Sequence, residues 1–142
     1  MKRFWAFAPW VGRMILVAPA LIFALIASRY IAHPATSAAL VGISLNTPLA
    51  TTILRVGFGA FPLGCSIFVL SCLVSKRRIL TGFIFVLTIL GVALGVRLYG
   101  MTVDGTVSES MHLVRAEAVV IALCLIGIVV EHQRERRTGG TL

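Results

Sequence analysis

Residues 79–96 read ILTGFIFVLTILGVALGV, an uncharged stretch closed by Arg78 on one side and Arg97 on the other. About 20 apolar residues is the length an α-helix needs to cross a hydrocarbon layer about 30 Å thick. Three further runs lie outward from it: 56–74 and 14–28 before it, and 118–130 after it, the last extending back through Leu113. In a chain of 142 residues that is 58% hydrophobic, four such runs leave no room for a separate water-soluble catalytic domain. The reading is therefore an all-α integral membrane protein, a four-transmembrane-helix antiparallel bundle. Its single domain covers residues 1–133, with spans at about 10–31, 53–75, 79–99 and 110–132 and a solvated, disordered tail over 134–142.

The formal charge of +8 follows the ends of these runs. If every run crosses, Lys2, Arg3, Arg13, Lys76, Arg77, Arg78, Arg134, Arg136 and Arg137 share one side. Arg29, Arg55, Arg97 and Arg115 stand at the other ends. The positive-inside rule then puts both termini and the 76–78 turn in the cytoplasm (N-in/C-in). Trp5 and Trp10 mark the inner interface, Tyr30 and Tyr99 the outer. Anionic headgroups and the insertion machinery account for this charge, and with no basic patch interleaved with exposed aromatics no nucleic-acid partner is expected. A cleaved signal peptide is the rival reading of 14–28. The run is long for that, Arg29 and Tyr30 follow it directly, and no small-x-small cleavage site comes next, so it is read as a retained span.

Local signals place the helix ends. The first helix is expected from near Pro9 to about Ile31, with Pro19 inside it and His33-Pro34 ending it. Thr47-Pro48 reads as an N-cap with proline at the first helical position, and Pro62 as a kink. Asp104-Gly105 signals a turn, and Thr106 with Glu109 fits a capping box opening the last helix. Gly91 and Gly95 form a G-x-x-x-G step, and Ala60 with Gly64 a second small-residue step. Packing within the bundle is favoured over a homodimer interface for both, although the steps allow a homodimer.

The chemistry-bearing residues gather at the outer ends. Counting back about 20 residues from Glu131 sets Glu117 about 8 Å inside the hydrocarbon. An ionised carboxylate facing lipid there costs several kcal/mol, so Glu117 should turn inward to a partner. Arg115 lies about 200° round the same helix and can snorkel outward. Arg55 and Arg97 are the expected partners, with Asp104 balancing the remaining charge. Three readings stay open: an ion-pair network fixing helix register, an outward-facing polar pocket for an anionic or amphiphilic ligand, or separate interfacial charges.

Other chemistry finds little support. His33, His112 and His132 lack metal-ligand spacing, and Ser66, Ser71, Ser108 and Ser110 sit in no nucleophile motif. No two carboxylates share a helix face for acid–base work. Cys65, Cys72 and Cys124 read as small packing residues. No enzyme activity, metal or cofactor is expected.

The residues Leu54-Arg55-Val56-Gly57-Phe58-Gly59 with Leu63-Gly64, then Gly95-Val96-Arg97, Asp104-Gly105 and Glu117, carry a resemblance. Over about 14–130 the chain resembles the small bacterial membrane proteins called domain of unknown function 4345. Val56 departs from that pattern, which often has alanine there. The resemblance implies a four-helix fold, directs attention to Arg55, Arg97, Asp104 and Glu117, and supplies no substrate. The expectation is a non-catalytic binding or accessory subunit of the bacterial cytoplasmic (inner) membrane, holding a lipid, a quinone-like ligand or a partner membrane protein. The alternative is a small proton-coupled transporter using Glu117, although that carboxylate lies far outward for alternating access.

Overall fold

A computed structural model describes the backbone of residues 2–75 and 77–138, and the side chains of residues 10–75, 77–134 and 136. Among the described residues all regular secondary structure is helical, without strands. The helices are α1 (Lys2–Ala32), α2 (Pro34–Leu40), α3 (Pro48–Leu54), α4 (Phe61–Leu73), α5 (Ile79–Asp104) and α6 (Val107–Thr138), with a π-helical segment, Arg55–Ala60, joining α3 to α4. Four stretches are long and apolar enough to cross a membrane: Trp10–Ala32, Pro48–Leu73, Ile79–Asp104 and Val107–Arg134.

These helices outrun the apolar windows because a helix continues until its backbone is capped. Thr47 is extended, and its hydroxyl accepts from the Ala50 amide at 3.1 Å, with Pro48 at the first helical position. The helix that carries the second span therefore starts at Pro48, where that signal expects it and ahead of the span's own beginning near 53. At the far end of α5, Gly105 takes the left-handed conformation (φ 70°) that lets the chain leave the helix without strain. The α1 backbone begins at Lys2, ahead of Pro9, and continues helical through that proline. α6 runs past the expected boundary at Gln133 to Thr138. Of the tail expected to be disordered, 139–142 lies outside the described residues.

The contacts divide the chain into two compact units, Val17–Ser71 and the combination of Met1–Leu16 with Cys72–Leu142. In the first, α1 and the π segment with α4 pack antiparallel. Ser66 Oγ donates to the Ala20 carbonyl at 2.9 Å, and Gly59 presses on Ile31 so closely that a β-carbon would stand 2.7 Å from its side chain. Tyr30 and Phe58 stack at 5.2 Å between ring centroids. The π segment sits where Pro62 would otherwise crowd the Phe58 carbonyl. The widened turn, with Phe61 N–H bonded back to the Val56 carbonyl, relieves that clash.

In the second unit α5 and α6 run antiparallel. The outer end of the Phe83 ring lies against Gly127, where a β-carbon would overlap it, and Phe83 is fully buried. Leu16 and Cys72 close on Gly82, and Gly12 faces Ile79, Phe83 and Glu131. Gly91 and Gly95 take no part, since a β-carbon at either would meet open space. Cys65, Cys72 and Cys124 are free thiols, each buried.

Candidate functional site

Arg97 projects from the last turns of α5 toward α6, where Glu117 stands opposite it. Arg97 Nε donates to both carboxylate oxygens, at 3.2 Å to Oε1 and 3.1 Å to Oε2, and Nη2 donates to Oε1 at 2.7 Å. The planar guanidinium thus meets the carboxylate edge-on, the arrangement that makes arginine–carboxylate pairs both strong and directional. Their side chains retain 29% and 16% of their surface respectively, so the pair is half-buried with the carboxylate the better covered. Twenty residues of chain separate the two groups. They meet because the sharp reversal at Gly105 folds α6 back along α5.

The remaining candidates divide. Arg115 and Asp104 are both exposed on the same unit, and neither takes part in the Arg97–Glu117 hydrogen bonds. Arg55 belongs to the other unit, on the π segment. There it is exposed, and its Nε donates to the Ile31 carbonyl at 3.3 Å. That bond places a cation against one of the terminal carbonyls of α1, where the helix dipole favours positive charge.

A second carboxylate matters more than its sequence context indicates. Glu131, read from the sequence only as the inner boundary of the last span, is fully buried and ion-paired with Arg134 one turn on. Gly12 makes room for it: a β-carbon there would stand 3.9 Å from Glu131 Oε2. The i, i+3 spacing of Glu131 and Arg134 was legible in the sequence, but such pairs are usually solvated. Its burial brings it against α1, at Gly12. Among the described residues no three of His, Cys, Asp or Glu gather as metal ligands.

Comparison of the chain with protein-family models, with curated proteins and with solved structures yields no match.

Proposed function

We propose that the protein is a non-catalytic binding or accessory subunit of the bacterial cytoplasmic membrane, with both termini and the 76–78 turn inside. On this reading it is a four-span antiparallel bundle related to the family it resembles, domain of unknown function 4345. Its outward end presents Arg115 and Asp104 to a lipid headgroup, a quinone-like molecule or a partner helix.

The observation that carries the reading is the double engagement of the Glu117 carboxylate by Arg97. A proton-coupled transporter needs a carboxylate that gains and loses its proton in each cycle. Protonating Glu117 would remove the charge that Arg97 is paired with and forfeit the ion pair in every cycle, so the pair suits a fixed scaffold better than a cycling one. Arg115 and Asp104 are exposed on the same unit and take no part in that pair, so a ligand can meet them without disturbing the scaffold.

The test is reconstitution into liposomes carrying an internal pH dye, alongside native mass spectrometry of the protein released from native-membrane discs. Absence of proton flux, with a retained ligand whose occupancy falls in Arg115→Gln, supports a binding subunit. Proton flux abolished by Glu117→Gln overturns it. Reporter fusions at Gly105 and at Arg77 test the orientation, the first expected to be active outside and the second inside.

A further inference from the structure

The end of the second unit remote from Arg97 holds a second polar cluster, built from three elements. Gly12 of α1 contacts Ile79 at the start of α5 and Glu131 of α6. Arg13 follows Gly12, Arg77 and Arg78 precede Ile79, and Arg134 lies one turn beyond Glu131. This end of the unit therefore carries four arginines around the buried Glu131, and of these Arg77 and Arg78 are exposed. Arg134 already neutralises Glu131.

Arg13 stands apart from the others. It is half-buried, with its Cζ 5.7 Å from the centroid of the exposed Trp10 ring. Its Nε–H is buried and meets no acceptor among the described residues. Buried donors almost always have acceptors, and a charged one left without is costly. Tryptophan at this position suits the headgroup level of a bilayer.

We infer that this end of the molecule binds an anionic phosphate group, with Arg13 as its principal ligand. The surplus of positive charge supplies the attraction. A modest rotation of the Arg13 side chain off its packed position turns Nε and the terminal nitrogens together toward two phosphate oxygens, the fork geometry that arginine offers and lysine does not. Trp10 holds the guanidinium at the depth where lipid phosphates lie, and Arg77 and Arg78 flank the approach. The group can belong to an acidic phospholipid or to a free phosphate. The site is independent of the outward end discussed above.

The protein is placed in nanodiscs containing equal amounts of phosphatidylglycerol and phosphatidylcholine with the same acyl chains. Lipids retained on release are then counted by native mass spectrometry. Wild type is expected to prefer phosphatidylglycerol at least about fivefold, the factor one interfacial cation supplies. Arg13→Gln should lose that preference, and Arg29→Gln, which removes an exposed cation elsewhere, should keep it. Should Arg13→Gln not fold, Arg13→Met keeps the packed stem without the charge and is expected to lose the preference in the same way. In lipid-free detergent, millimolar inorganic phosphate that raises the melting temperature of wild type but not of the Arg13 variant identifies free phosphate as the source. A response confined to lipid identifies the headgroup. Equal phosphatidylglycerol retention by wild type and the Arg13 variant, or no preference in wild type, overturns the inference.

Discussion

Separating the partners of the Arg97–Glu117 pair should do unequal damage. Three hydrogen bonds join the two groups, and the carboxylate keeps only 16% of its side-chain surface against 29% for the guanidinium. Breaking a fully buried pair costs about 3–5 kcal/mol, whereas a fully exposed pair is worth about 0–1 kcal/mol. This pair falls between those limits. Arg97→Gln strands a short, well-covered carboxylate that cannot reach the interface, so its cost should approach about 3 kcal/mol. Glu117→Gln strands an arginine near the end of α5, whose long stem can carry the charge outward, so its cost should be only about 1–2 kcal/mol. The double variant should be less unstable than the sum of the singles, with a coupling of about 1–2 kcal/mol. Unfolding by sodium dodecyl sulfate titration in mixed micelles measures all four proteins. A coupling below about 0.5 kcal/mol, or a larger loss in Glu117→Gln than in Arg97→Gln, would refute the pair as the lock between α5 and α6.

Two glycines of similar sequence context should answer alanine oppositely in the same titration. Gly127→Ala drives a methyl into the fully buried Phe83 ring and should cost about 1–3 kcal/mol of overpacking, only partly offset by the better helix former. Gly91→Ala points into open space and should be neutral or gain up to about 1 kcal/mol. Thr47→Ala removes the oxygen that accepts from Ala50 and should cost about 1 kcal/mol. Hydrogen exchange should localise that loss to the first turn of α3, and unaltered protection of the Ala50 amide would contradict the cap.

The residues legible in the sequence share one property: their signals are local. Thr47-Pro48 announced a helix start and Asp104-Gly105 a turn, and the backbone obeys both, although α5 runs on to Asp104 past its expected end near 99. Glu117 was legible as well, because a carboxylate inside the hydrocarbon length demands a partner, and Arg97 is that partner. Arg55 shows the limit of that reasoning. Its position beside a glycine-rich stretch drew attention, but no charge count foretells a bond to the Ile31 carbonyl. Glu131 shows the converse, since a glutamate one turn before an arginine at a helix end looks like an ordinary solvated pair. It is fully buried, and the glycine that faces it, Gly12, comes from the first helix.

The close-approach glycines make the same distinction. The G-x-x-x-G step at Gly91 and Gly95 is the obvious packing signal, but the glycines that neighbours press upon are Gly59, Gly82 and Gly127. Sequence alone determined that four helices are long and apolar enough to cross a membrane, and which of their ends carry the positive charge. Each of those follows from the chemistry of a short stretch of chain. Tertiary structure alone decided which face of each helix turns to a neighbour. Lipid is as apolar as a packed leucine, so an evenly hydrophobic helix carries no pattern to mark its inner side, and the choice falls to the fit of backbones and side chains across the contact.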